Sequence, residues 1–510
     1  MNKVSGKIIK LFWLVFAISM FLILGTALSK PLNNLIPQRM VLFTLVWIVF
    51  YGVMWAICCL IEKKLPGAEK IIRCCLPIYL ILLGAALFVV SLCLRSEPIT
   101  DYESVYEAAY HFAMGEEVTN WNYFSRWYNN VGCMMGLAVL FFLGRWLPEG
   151  LDPYYFVLFC NVVQVVLVVY CLYYLVKKLI KNRPVAAPLM TLLVCATWIP
   201  IWANTSIFYS DQLSFGAAVF GMALVVKGYE KRNWVPYYCL AGVCFGVGVI
   251  MKVTAATVLV ALVIACVLFR KLWAVKGRLL LVLACCLAVN GSFSLFCKTL
   301  PYQEDLDILK APVEYWFAIG LVGSGTFADS EEFAMKCLTA DNLEIRTEMA
   351  REQIAKEIHN LWNPEHIIAK ARTNFGCGDM GAAGYLLFPK EENLLWNWFS
   401  MEGQYYWKYA CLSTAFFFAL LFFLGVGGLL QFFKKENEPA SFVAALAFWG
   451  LCLFLMLWEA QDKQLYNHSG VMIFALIATL DLLGKRAEAQ VAGRKNEQGD
   501  DSDVKNVNVA

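Results

Sequence analysis

VGCMMGLAVLFFLG, residues 131–144, decides how this chain is threaded. The run is wholly apolar yet falls short of the roughly 20 residues a helix needs to cross a bilayer. About twelve other apolar runs surround it, at 9–28, 40–61, 75–94, 154–176, 185–203, 212–227, 236–251, 254–269, 279–297, 408–430, 440–458 and 470–484. Counting 131–144 as a further crossing would carry Lys177, Lys178, Lys181 and Arg183 outside and reverse the charge pattern of every later turn. Read as a helix lying in, or dipping into, the outer leaflet, it leaves the basic clusters on one side. These are Lys3, Lys7 and Lys10; Lys63, Lys64, Lys70 and Arg73; Lys177 to Arg183; Lys227, Lys231 and Arg232; Arg270 to Arg278; Lys434 and Lys435; and Lys485 and Arg486. The positive-inside rule then places both termini in the cytoplasm, in a cell membrane protein whose polar turns face outward.

Composition supports the class. The 510 residues are 60% hydrophobic and 16% charged, against about 25% charged in soluble domains. A net charge of +3 carries no nucleic-acid footprint. The fold expected is all-α, multi-pass, with about 12 transmembrane helices, outer-face juxtamembrane helices and a large, mostly helical outer loop. It divides into two N-terminal spans (1–74), a membrane core (75–297) with a first outer loop at 95–153, the large loop (298–407), C-terminal spans (408–486) and a disordered cytoplasmic tail (487–510). The first apolar run exceeds a signal-peptide core and lacks a convincing cleavage site, so an uncleaved anchor is expected.

Most of the 19 cysteines lie in apolar runs and behave there as small hydrophobes. Cys337 and Cys377 share the large loop, and a disulfide between them stays open. Within that loop, residues 330–362 read as helical, with Ile345, Met349 and Ile358 among the apolar positions, until Asn363-Pro364 breaks the pattern. Trp396, Trp398, Phe399, Tyr405, Tyr406 and Trp407 then form an interfacial aromatic belt.

Five places can carry chemistry. PITDYESVYEAAYHFAMG follows the third span, and its Thr100 and Glu103 match a T-x-x-E capping box, which accounts for Glu103 structurally. Asp101 shares a helical face with Val105, Ala108 and Phe112, where a carboxylate is partly desolvated and suits a general base. Asp211, in an outer turn, either caps the next span or joins Asp101 in holding a divalent cation or a hydroxyl acceptor. Lys252 and Arg126 either snorkel at the interface or meet an anionic headgroup such as a lipid phosphate. WEAQDKQLYNHSG, residues 458–470, holds Glu459, Asp462, Lys463 and His468, too many charges for a plain hairpin, and predicts a re-entrant or site-lining turn.

Together these features resemble the GT-C glycosyltransferases, and in particular the protein O-mannosyltransferases and lipid A aminoarabinose transferases. The resemblance rests on D-x4-Y-x2-A (Asp101, Tyr106, Ala109) with Gly115, YFSRWYNNVG with Asn130, YSD at Asp211, and K-x-T at Lys252 and Thr254. AKARTNFGCGD, with Lys370 and Asp379, is similar to a stretch of the large outer loop in related Gram-positive proteins. Two departures stand out: the acidic loop follows the third span rather than the first, and EAQDKQLY offers Lys463 where members often carry Arg-Tyr. The resemblance implies an inverting hexosyl- or pentosyltransferase with a polyprenyl-phosphate-sugar donor and a glycan, lipid or protein acceptor. Asp101 would be the base, and Glu103, Arg126, Asn130, Asp211, Lys252, Lys370, Asp379, Glu459 and Lys463 would contact substrate. An O-antigen-type polymerase or ligase and a lipid-linked sugar flippase are the competing readings. A flippase would predict internal repeats and broken helices at mid-membrane.

Overall fold

A computed structural model describes residues 3–33, 35–148, 150–302 and 310–505. The chain is helical throughout, with no strand among the described residues. Among the described residues, eight helices are long and apolar enough to cross a membrane. They are α1 (Lys3–Ser29), α2 (Pro37–Lys64), α3 (Ala68–Cys93), α7 (Tyr154–Leu179), α10 (Ser210–Tyr229), α13 (Lys276–Cys297), α19 (Tyr406–Phe433) and α20 (Pro439–Leu457). Helices suit these runs because lipid offers no partner to backbone amides, so each must be satisfied within its own segment.

The other four expected spans differ by length, continuity or charge. Residues 185–203 divide into α8 (Ala186–Thr197) and α9 (Ile199–Asn204), with Pro200 in the first turn of α9. The next two are α11 (Val235–Met251, 17 residues) and α12 (Ala256–Leu268, 13 residues). The last opens α21 (Ser469–Lys505), whose apolar start includes Asp481. This helix runs on to Lys505, through most of the segment expected to be a disordered tail, and Glu488 on it pairs with Lys63 and Arg183. The opening run 131–144 forms α6 (Val131–Gly144), a helix of 14 residues, and packs on α7 and α11.

Helix α19 is the axis of the bundle, with α1, α2 and α21 against it. Apolar side chains gain little by leaving lipid, so close packing must hold these helices together. Glycines allow it: a Cβ on Gly427 would lie 2.2 Å from Thr479 Oγ1, and one on Gly428 3.0 Å from Ala17 Cβ. By contrast α3 and α13 leave most of their surface outward. At one end of the bundle the basic residues pair with acids, as in Lys177–Glu69, Lys178–Glu230 and Arg183–Glu62.

The opposite end carries the polar turns. There α4 (Thr100–Met114) lies on α6, and α5 (Trp121–Arg126) follows it. Tyr102, Val105, Met134, Leu137, Phe141, Tyr154 and Phe208 form the apolar core between them. The large loop contributes α14 (Val313–Gly320), α15 (Glu331–Leu338), α16 (Leu343–Glu357), α17 (Pro364–Phe375) and α18 (Leu394–Phe399). The helix expected over 330–362 is split at Thr339–Asn342, where Asn342 caps α16 by accepting from the Ile345 amide. Asn363 likewise caps α17 at the predicted Asn-Pro break. The buried face of α16 is Arg346 and Ala350, whereas Ile345 and Ile358 are exposed, contrary to the apolar pattern. Cys337 packs in the α14–α15 core and Cys377 elsewhere, both as free thiols, so the disulfide left open does not form. An antiparallel bridge between Ser96 and Pro389 ties the first polar loop to the large one.

Candidate active site

The start of α4 departs from the expected capping box. Thr100 has φ of +53°, a left-handed conformation that a β-branched residue adopts only under strain, and no side chain caps the helix. The helix turns its Tyr102–Val105–Ala109 face inward instead, because the Tyr102 and Tyr154 hydroxyls meet at 2.6 Å in the core. Asp101 is therefore exposed at the rim rather than desolvated, as is Glu103, and Phe112 on the expected buried face is 38% exposed. Tyr123, from α5, comes within hydrogen-bonding reach of Asp101. The Asn130 amide donates to the Tyr123 hydroxyl at 2.6 Å. A chain Asn130–Tyr123–Asp101 thus orients the carboxylate.

Asp211 sits at the N-terminus of α10, 2% exposed. The cap of that helix is Tyr209 with Gln212, so the capping role is taken by its neighbours. Lys252, at the α11–α12 turn, places Nζ 3.7 Å from Asp211 Oδ2, and remains 20% exposed. Asn467 donates to Asp211 Oδ1 at 2.9 Å, and Ser214 donates to Asn467 Oδ1 at 2.6 Å. Thr254, of the K-x-T motif, lies 3.4 Å from the same Asn467 amide. A buried carboxylate needs such partners, since an unpaired charge in a low dielectric costs several kcal/mol.

The turn after α20 completes the arrangement. Its 3-10 helix, Asp462–His468, buries Gln464 to His468 against α10, with Phe215 and Tyr466 rings 4.5 Å apart. The turn expected to be re-entrant or site-lining is this 3-10 helix, and it brings Lys463 toward Tyr209 and Tyr385. Lys463 donates to the Tyr385 hydroxyl at 3.0 Å and lies over the Tyr209 and Tyr385 rings. Burial pushes its ammonium down, but Tyr385, Asp211 and Asp101 together overcome this and hold it above the ordinary lysine value. Glu459 is buried, which pushes its carboxyl up to about 7 against the pull of Lys463 and Lys252. Asp101, Asp211, Lys252, Glu459 and Lys463, from four separated segments, therefore share one electrostatic field.

The remaining candidates flank this centre. Lys370 is fully buried, donates to the Gly320 carbonyl, and is pushed down to about 7 by burial, with only Glu459 opposing. Asp379 accepts from Tyr406 at 3.2 Å and from the Gly381 amide at 3.1 Å, beside Cys377. Arg126 lies against the large loop, where its carbonyl accepts from Ala311 and its charge acts on Tyr315. Tyr123, Tyr385 and Asn467 were not named as candidates from the sequence. Tyr123 opens the YFSRWYNNVG motif and Asn467 lies in the charged turn at 458–470, whereas nothing marks Tyr385.

Asp101 and Asp211 fit a shared cation poorly. Lys252 already neutralises Asp211, and among the described residues no third Cys, His, Asp or Glu atom joins the two within 4.8 Å.

Residues 154–293 match the family model of dolichyl-phosphate-mannose-protein mannosyltransferase. The match covers about a quarter of the chain. It runs from α7 into α13 and takes in Asp211, Lys252 and Thr254. No curated protein matches the chain. Similar solved structures include the archaeal oligosaccharyltransferase AglB from Archaeoglobus fulgidus, in complex with an inhibitory peptide and a dolichol-phosphate. That match has 13% identity and a TM-score of 0.41, over 82% of this chain and 52% of that one. The Archaeoglobus fulgidus oligosaccharyltransferase tethered with an acceptor peptide is similar at 12% identity and TM-score 0.37, over 79% and 49%. ArnT from Cupriavidus metallidurans bound to undecaprenyl phosphate is similar at 12% identity and TM-score 0.36, over 80% and 78%. The chain spans about half the length of the two oligosaccharyltransferases.

Proposed function

We propose that this membrane protein transfers a sugar, a hexose or pentose, from a polyprenyl-phosphate donor to a glycan, lipid or protein acceptor. The reaction takes place at the outer face of the cytoplasmic membrane, with both chain termini in the cytoplasm. The observation that carries this reading is the convergence, at one end of the bundle, of an exposed carboxylate with two ammonium groups. Asp101 is the carboxylate, and Lys252 and Lys463 are the cations, the first anchored by buried Asp211 and the second by the Tyr385 hydroxyl.

In the step proposed, Asp101 takes the proton of an acceptor hydroxyl. The acceptor oxygen forms a bond to the anomeric carbon from the face opposite the phosphate. The carbon–oxygen bond to phosphate breaks, its electron pair stays on the phosphate, and the anomeric centre is inverted. The leaving phosphate gains one negative charge, so cations preorganised beside it stabilise the transition state more than the ground state. Lys463 holds the place of the arginine that the resemblance leads one to expect. Asp211 and Asn467 act through Lys252 as positioning residues, and Asn130 acts through Tyr123 on the base.

The test is incubation of the purified full-length protein with a panel of polyprenyl-phosphate sugars and acceptors, scoring free polyprenyl phosphate. Loss of a positioned base lowers rates by about 10²–10⁴-fold, and Asp101→Asn should fall in that range. A folded Asp101→Asn protein with full transfer activity would refute the assignment. Cysteine labelling of whole cells at positions 211 and 252 checks the side of the membrane independently.

A further inference from the structure

Behind Lys463, outside the proposed transfer site, three metal-capable side chains from two separate segments meet. Cys377 Sγ, an Asp379 oxygen and an Asp462 oxygen all lie within 4.8 Å of one another. Cys377 and Asp379 belong to the turn after α17, and Asp462 opens the 3-10 helix that carries Lys463. Cys377 Sγ is 3.2 Å from Asp379 Oδ1, and both residues are buried. A second feature points the same way. Tyr409 on α19 is 1% exposed, and its hydroxyl has no hydrogen-bond partner. The charged groups acting on that hydroxyl are Asp379, Cys377, Tyr406 and Asp462, so it stands beside the cluster.

Two carboxylates and a thiol this close repel one another when ionised, with Cys377 and Asp379 buried and Asp462 half-buried, where charge repulsion is little screened. A single divalent cation removes the repulsion and gives the orphaned hydroxyl a role, either as a fourth ligand or as donor to a bound water. The ligand set decides which cation. A thiolate selects against the hard ions magnesium and calcium, while one sulfur with two carboxylate oxygens suits zinc. Zinc bonds of about 2.0–2.3 Å in a tetrahedron place ligand atoms roughly 3.5 Å apart, inside the observed spacing.

We propose that Cys377, Asp379 and Asp462 bind one zinc-type divalent cation, with the Tyr409 hydroxyl as fourth ligand or as donor to a water held there, and that this ion clamps the large loop to the turn bearing Lys463. Binding converts the Cys377 thiol to thiolate and releases its proton to solvent, with no change of oxidation state. The clamp does not depend on the transfer reaction: it would hold whatever the site does.

The experiment uses the full-length detergent-purified protein, stripped with chelator and titrated with cobalt(II) as a spectroscopic stand-in for zinc. The expected result is one equivalent bound per chain, with a thiolate-to-cobalt charge-transfer band that zinc abolishes by displacement. Cys377→Ser should lose the band, and Asp462→Asn should weaken cobalt binding at least tenfold. Absence of the band in the unaltered protein overturns the proposal, as does an undiminished band in Cys377→Ser. If Cys377→Ser does not fold, the nearly isosteric Asp462→Asn decides, and unchanged cobalt affinity in that variant is equally fatal.

Discussion

Replacing Lys370 by methionine should stabilise the protein at pH 6 and do little at pH 9. Lys370 has no exposed surface, and its only opposite charge of consequence is Glu459. Burial brings the ammonium from 10.5 to about 7. Because the folded value lies below the unfolded one, the unfolded chain binds the extra proton between about pH 7 and 10.5, and stability falls as pH drops through that window. At about 1.36 kcal/mol for each tenfold change in proton affinity, the gap amounts to about 5 kcal/mol of charge-burial cost below neutrality. At pH 9 only about 2 kcal/mol of it remains. Methionine removes that cost but forfeits the hydrogen bond to the Gly320 carbonyl, worth about 1.5–3 kcal/mol for a charged donor. The net expectation is a gain of about 2–3 kcal/mol at pH 6 and about zero at pH 9. Glu459 adds the opposite slope: its folded value of about 7 lies above the unfolded one, so its contribution is lost as pH rises from 4.5 to 7. The wild-type stability profile should therefore dip near pH 7. Unfolding of the purified protein across pH 5–10, with and without Lys370→Met, measures both. Equal destabilisation of the variant at pH 6 and pH 9 would refute the reasoning, because Lys370 would then be needed as a cation rather than tolerated as one.

Tyr123→Phe removes the hydroxyl linking Asn130 to Asp101, and should lower the transfer rate about tenfold, the equivalent of one lost hydrogen bond, with the unfolding midpoint nearly unchanged. Asn467→Ala withdraws the donor from Asp211 Oδ1 and leaves a buried carboxylate short of a partner. A loss of about 1–3 kcal/mol is expected in unfolding experiments, together with a raised KM for the donor as Lys252 loses its fixed counter-charge. Gly427→Val puts a side chain where even a Cβ would lie 2.2 Å from Thr479 Oγ1. It should cost about 1–3 kcal/mol by forcing α19 and α21 apart, measured as a lower thermal midpoint, and a midpoint equal to wild type would show that this contact is not tight.

Much of the candidate site was legible because its charges stand between apolar runs. Asp211 and Lys252 are isolated in short turns, and Asp101, Glu459 and Lys463 lie in charged stretches flanked by spans, where a charge near a bilayer is costly without a partner. Their partners were not legible. Tyr385 is one among 23 tyrosines, and nothing local marks it as the one whose hydroxyl meets Lys463, while Tyr123 stands in the YFSRWYNNVG motif with nothing there to pair it with Asp101. The capping box failed for a related reason. Thr100 and Glu103 have the right spacing, but the Tyr102–Tyr154 contact sets the rotation of α4, and the chain enters the helix through a left-handed Thr100. In the large loop Ile345 and Ile358 follow a helical period, yet the module buries Arg346 and Ala350.

By itself, then, the sequence determined that the chain is a helical membrane protein, that the apolar run at 131–144 is a short one, and which turns carry charge. These follow from length and solvation: a bilayer demands long apolar helices, and a charge must be placed where it can be paired or wetted. Only the tertiary structure decided that residues 101, 211, 252, 459 and 463 share one electrostatic field, which face of α4 turns inward, and that Cys377, Asp379 and Asp462 converge. Those outcomes depend on how helices pack against one another over hundreds of residues of separation. In lipid that packing is chosen by close contacts such as Gly427 against Thr479, which no local period encodes.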